Sequence, residues 1–199
     1  MDKKLSPIAF LLLFFVVFAL VLVGGPKGCI DHVDTYLDKV GDFLLYLSLG
    51  FAIAFGGFGL YLLFCKKKLE LSLVYLGAFY VLLIVINVFF ENIPISFRPN
   101  SINSVLEPSF PSTHVLFTTF ILQSGVCELK FLFGSKKAFS VFGIISVVIS
   151  FAMVFLRVLS GLHWVTDVLS AFFLSMSLVR FFEGSLIKID LRSQKQNQQ

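Results

Sequence analysis

Residues Arg157 to Asp167 read Arg-Val-Leu-Ser-Gly-Leu-His-Trp-Val-Thr-Asp and join two apolar runs, 138–156 and 164–182. Each run is close to the ~20 residues with which a helix crosses a bilayer's hydrocarbon. Arg157, His163 and Asp167 therefore fall at the edge of a membrane core, where ionisable groups are expensive and usually functional.

Outward from this stretch, apolar runs at 6–23, 43–64, 71–90 and 115–133 complete six spans. With 57% hydrophobic residues, 26 Phe and only 14% charged residues in 199 positions, the chain has too little polar surface for a soluble domain of its size. Several runs are apolar all round, without the polar stripe of a helix that keeps one face in water. The expected fold is all-α: one membrane domain over 1–199, a polytopic bundle of six transmembrane helices, with a polar, Gln-rich, frayed tail at 183–199. The first run follows Asp2, Lys3 and Lys4 and has the basic start of a secretory signal. Its length, and the lack of a small-x-small pattern in Gly24-Gly25-Pro26-Lys27-Gly28, favour a retained helix.

Between Cys29 and Asp42, the residues Ile30, Val33, Leu37 and Val40 recur at helical spacing, with Asp31, Asp34 and Asp38 on the other side. That is the pattern of an amphipathic helix lying in the interface. The acids read as a solvated face, with metal ligation by Asp31, His32 and Asp34 as the rarer alternative. Gly50, Ala54 and Gly57 share one face of the second span, where a neighbouring helix can approach closely. Cys29, Cys65 and Cys127 are an odd number at unrelated spacings and form neither a disulfide framework nor a metal motif.

The net charge of +4 is scattered in short clusters beside apolar runs, which excludes a nucleic-acid-binding face and leaves topology signals. With the amino terminus inside, Lys3, Lys4, Lys66, Lys67, Lys68, Lys130, Lys136, Lys137, Arg180, Lys188, Arg192 and Lys195 are inside, 12 of the 16 basic residues. Both termini are then cytoplasmic. The same assignment carries Arg98, Ser112, Thr113, His114, Arg157, His163 and Asp167 to the extracytoplasmic face. The loop 91–110 holds Pro94, Pro99 and Pro108, which forbid a continuing helix, and it leads into Pro111-Ser112-Thr113-His114. Its length makes it an expected part of the site.

These residue types suit a phosphate ester, which needs cations and N–H groups around its oxygens, a nucleophile in line and an acid for the leaving oxygen. Arg98 and Arg157 offer planar forks for phosphate oxygens. Ser112 and Thr113, at the start of a span, offer hydroxyls and free backbone N–H groups at a helix N-terminus. His163 and Asp167, at i and i+4, form a His-carboxylate pair in which one ring nitrogen is held protonated and the other is free to attack. His114 is then the general acid.

Arg98-Pro99, Pro111-Ser112-Thr113-His114 and Arg157-x5-His163-x3-Asp167 together resemble the three signature motifs of the type 2 phosphatidic acid phosphatase superfamily. The resemblance covers the chain from about the second span to the sixth. It implies a six-span, metal-independent lipid phosphatase without a cofactor, in which His163 forms a phosphohistidine, Asp167 orients it, His114 is the acid, and Arg98, Ser112, Thr113 and Arg157 bind phosphate. Three departures stand out: Glu91 where the family usually has Lys, Thr113 for the common Gly, and Leu156 for a frequent Ser.

The expected function is hydrolysis of a lipid phosphomonoester or diphosphate at the outer leaflet of the cell membrane. Polyprenyl diphosphate is favoured by family analogy. The expected partners are the lipid substrate and the bilayer. A phosphotransferase using the same phosphohistidine, and a catalytically silent lipid-binding relative, are the alternatives.

Overall fold

The structure is a computed structural model that describes residues 6–100 and 107–196. Lys3 and Lys4, the middle of the loop 91–110 and the last three residues of the tail lie outside the described residues. Six helices follow in order: α1 (Pro7–Gly24), α2 (Thr35–Lys66), α3 (Leu71–Asn92), α4 (Thr113–Phe133), α5 (Lys137–Leu159) and α6 (Val165–Gln196). All six are long and apolar enough to cross a membrane. The all-α membrane bundle expected from the hydropathy is the observed architecture.

Local chemistry sets the ends. Ser6 accepts the Ile8 N–H and Pro7 occupies the first turn of α1, positions that suit a cap and a residue without an N–H. Asp34 caps α2 by accepting from the N–H groups of Tyr36 and Leu37. Lys67 ends α2 in the left-handed conformation.

The helices divide into two kinds. More than half of the membrane-crossing windows of α4 and α6 is buried, against less than a fifth for the others. The inner pair carries the small polar residues Thr118, Thr119, Ser124, Ser170, Ser175 and Ser177, all buried, and Ser175 Oγ donates to the Leu116 carbonyl across the α4–α6 contact at 2.8 Å. The outer helices present Ile53, Ile144, Val148 and Phe155 outward. In lipid the hydrophobic effect does not draw helices together, so small and hydroxyl residues hold the interior while aliphatics face the acyl chains.

Several sequence expectations change. The stretch from Cys29 to Asp42 is not a separate interfacial helix: the chain runs in a turn to Asp34, and α2 then continues for 32 residues into the bilayer. Its Asp38 is not on a solvated face but pairs with Arg157, a contact that ties this turn of α2 into the bundle. Asp34 is spent on its cap, and Asp31 accepts from the Cys29 thiol at 3.6 Å.

The tail from 183 is helical as far as Gln196, because Phe182 and Leu186 bury their side chains beside Phe55 and Leu76. Gly50 and Gly57 have no neighbour within 4 Å of an added Cβ and face outward with Ala54. The close approaches occur at Gly125, against Phe55, and at Gly41, against Arg157.

Two loops close one end of the bundle. The α1–α2 connection lies on the turn before α6, through Val165 N–H to the Gly28 carbonyl (2.8 Å) and Asp34 N–H to the Ser160 carbonyl (3.1 Å). Gly161 takes φ +72°, and a Cβ there would collide with the His32 carbonyl oxygen, so only glycine fits the turn. The α3–α4 loop folds back on itself through an antiparallel bridge between Phe97 and Pro108. Trp164 Nε1 donates to the Phe97 carbonyl at 2.8 Å and pins that loop to the start of α6.

Candidate active site

At the end of the bundle closed by these loops, a cavity of about 480 Å³ is lined by Arg98, Thr113, His114 and His163 together with Asn87, Glu91, Glu107 and the loop 108–111. Ser112, Arg157 and Asp167 are buried close behind this wall. The seven residues singled out in the sequence therefore gather at one end, four on the cavity surface and three behind it. A larger groove of about 810 Å³ between α4, α5 and α6 contains none of them.

His163 precedes the first residue of α6 rather than sharing a helix face with Asp167. Its Nδ1 lies 3.2 Å from the Ser109 carbonyl oxygen and 4.0 Å from Asp167 Oδ2. A carbonyl only accepts, so Nδ1 carries the proton and Nε2 keeps its lone pair. The nearest orienting group is thus a backbone oxygen that no residue-type pattern announces. Burial first, and then the charges of Arg157, Arg98 and His114, hold His163 well below the ordinary histidine value of 6.5, which keeps the ring neutral.

Asp167 is fully buried. Its Oδ1 accepts from Ser96 Oγ at 3.2 Å, its Oδ2 from the Trp164 N–H at 3.4 Å, and Ser96 and Ser109 share a hydroxyl bond of 2.9 Å. The carboxylate therefore ties the α3–α4 loop to the start of α6 beside His163. Its backbone carbonyl accepts the Ser112 N–H at 3.3 Å, so that N–H is not free, contrary to the expectation of an open anion site there. Among the described residues, Ser112 Oγ is buried without a partner and α4 has no side-chain cap at its N-terminus. Thr113 Oγ1 donates to Asn87 Oδ1 at 2.9 Å, and Asn87 Nδ2 donates to Glu91 at 2.7 Å.

The two cations differ. Arg157 is 1% exposed, pairs through Nη1 with Asp38 and leaves Nε without a partner among the described residues. Arg98 lies on the loop, its Nε 3.2 Å from Glu107 Oε2 but outside hydrogen-bond alignment. His114 Nε2 is 2.7 Å from Asp42 Oδ1. Reasoning from sequence missed Ser96, Ser109, Asp42 and the role of Asp38. The prolines around the loop were the available signal for the serines; the acidic run 31–42 was the signal for the aspartates.

The class defined by this fold and site is a helical membrane protein with a polar, cation-lined pocket at one end of its bundle. A model of the PAP2 superfamily matches residues 87–183, which include all seven candidate residues. The fold matches the crystal structure of a transmembrane PAP2-type phosphatidylglycerolphosphate phosphatase from Bacillus subtilis, with a TM-score of 0.65 and 22% identity over 92% of this chain and 97% of that one. A comparison with curated proteins finds no match. Residues 87–183 are thus similar to the PAP2 superfamily, and the fold is that of a transmembrane PAP2 protein.

Proposed function

We propose that the protein is an integral membrane phosphatase that hydrolyses a lipid phosphate at the extracytoplasmic face through a phosphohistidine on His163. The observation that carries this reading is the state of the His163 ring. Its Nδ1–H is spent on the Ser109 carbonyl, which leaves Nε2 as a neutral nucleophile beside a cavity that also holds Arg98 and His114.

Nε2 attacks phosphorus, the bond from phosphorus to the ester oxygen breaks, and His114 gives that oxygen a proton. Water then attacks phosphorus and loses a proton to His114, the P–N bond breaks, and phosphate leaves with His163 neutral again. Arg98 and Arg157 offset the charge that builds on the phosphoryl oxygens, and Ser112 and Thr113 complete the anion site at the start of α4. Asp167 acts by holding the α3–α4 loop and its Ser109 carbonyl in register with His163.

For the substrate, Glu91 and Glu107 stand on the cavity wall with Arg98 as its one arginine among the described residues. That balance favours a phosphomonoester, such as phosphatidic acid or the phosphatidylglycerolphosphate on which the Bacillus subtilis protein acts, over the more highly charged polyprenyl diphosphate of the sequence expectation.

The test is phosphate release by the purified protein in detergent with EDTA, on these three lipids, with His163→Ala as control. Release that survives EDTA, favours the monoesters and disappears in the variant is the expected result. Full activity in His163→Ala rejects the mechanism. Release only when an acceptor lipid or sugar is added identifies a phosphotransferase, and none with any lipid identifies a silent relative.

A further inference from the structure

We propose that Asp42 is a positioning residue for His114, fixing the ring so that Nδ1 exchanges the proton with the leaving oxygen. This rests on the reading of His114 as the general acid. Asp42 Oδ1 lies 2.7 Å from His114 Nε2, and the two residues are 72 positions apart. A carboxylate accepts, so Nε2 carries a proton directed away from the reaction and Nδ1 is the nitrogen left for chemistry.

The contact belongs to a docked face. Asp38, Gly41 and Asp42 stand at i, i+3 and i+4 in the first turns of α2 and so point the same way. Asp38 pairs with Arg157 of α5, Asp42 with His114 of α4, and at Gly41 a Cβ would stand 3.3 Å from Arg157 Nη1. The bare backbone at Gly41 lets both carboxylates reach the site. All three positions precede the segment that matches the PAP2 superfamily. Each imidazole then has one nitrogen tied down, His163 by the Ser109 carbonyl and His114 by Asp42, and one nitrogen for phosphorus or its leaving oxygen.

In the first step the Nδ1–H bond of the His114 imidazolium breaks as the proton moves to the departing ester oxygen. In the second, Nδ1 takes the proton of the attacking water. Because the Asp42 side chain is 40% exposed, its pair with His114 contributes little to folding, and its loss registers in catalysis.

A general acid matters for a poor leaving group and little for a good one. The experiment therefore compares an alkyl phosphate with an aryl phosphate bearing the same chain, in wild type, Asp42→Asn, Asp42→Glu, His114→Ala and the double variant Asp42→Asn/His114→Ala, with melting temperature and gel-filtration profile as checks on folding. Asp42→Asn is expected to lower kcat on the alkyl ester roughly tenfold or more, with a much smaller loss on the aryl ester. KM should stay within about a factor of two. Asp42→Glu, which keeps the negatively charged acceptor that Asp42→Asn replaces with a neutral amide oxygen, should recover part of the rate, and the double variant should be no worse than His114→Ala.

Wild-type kcat in Asp42→Asn beside an impaired His114→Ala, equal losses on both esters, or additive losses in the double variant would overturn the assignment to Asp42. Wild-type kcat in His114→Ala on the alkyl ester would overturn the acid role of His114 itself. If Asp42→Asn does not fold, a kcat in Asp42→Glu as low as that of His114→Ala on the alkyl ester counts against the proposal.

Discussion

His163 shows how burial and charge prepare one side chain. The ring is 3% exposed and faces the charges of Arg157, Arg98 and His114. Its folded-state value lies below 6.5, so the unfolded chain takes up a proton that the folded chain refuses as the pH falls. The stability linked to this group is complete above about 6.5 and is lost as the pH drops toward the lowered folded value. In detergent, the melting temperature of the wild type is expected to fall between about pH 7 and pH 5 more steeply than that of His163→Gln; parallel curves would contradict this.

Glu91 is the other residue whose surroundings decide its effect. It lines the cavity where the resembling family usually has Lys, and it is held by Asn87. Glu91→Lys replaces a repelling charge with an attracting one, so KM for a phosphomonoester should fall by about threefold to tenfold, and further for a diphosphate. An unchanged KM for both would show that Glu91 does not meet the substrate.

Among the helices, α2 is the element that sequence patterning describes least well. Its small-residue stripe at Gly50, Ala54 and Gly57 faces outward, while the tight contact of this face of the bundle is made by Gly125 of α4, where a Cβ would stand 2.9 Å from the Phe55 ring. Phe55 is itself buried with Leu76 and Phe182 and has little room to yield. Gly125→Val is expected to destabilise the protein by about 2 kcal/mol, while Gly57→Val, in open space, should leave the melting temperature nearly unchanged. Equal melting temperatures for the two variants would show that the α2–α4 contact is not close packed.

For the bundle in its bilayer, the distribution of Lys and Arg sets the direction of insertion and the described helices set which residues share an end. Cys65, at the end of α2 remote from the site, and Lys27, in the loop that packs on the turn before α6, mark opposite ends. With Cys29 and Cys127 replaced by Ser, Cys65 should react with a membrane-impermeant maleimide only after the cells are permeabilised. In a variant that also carries Cys65→Ser and Lys27→Cys, position 27 should react in intact cells. The opposite pattern would place the pocket in the cytoplasm.

The six spans and the polar clusters beside them were legible without a structure because hydropathy and motif spacing are local: a run of some twenty apolar residues has few other fates. The convergence of Arg98, His114 and His163 followed from span parity, since alternate helix ends must lie on one side. What only the tertiary structure decided are the contacts that give those side chains their chemistry. Asp38 meets Arg157 across 119 positions and Asp42 meets His114 across 72. In the sequence both acids look like the solvated side of an amphipathic turn, because that pattern is the same whether the opposite face of the helix meets water or an arginine. The Ser109 carbonyl that sets the His163 tautomer is backbone and leaves no trace in residue type. Local composition determines what can cross a membrane; which nitrogen keeps its proton depends on neighbours brought together only by folding.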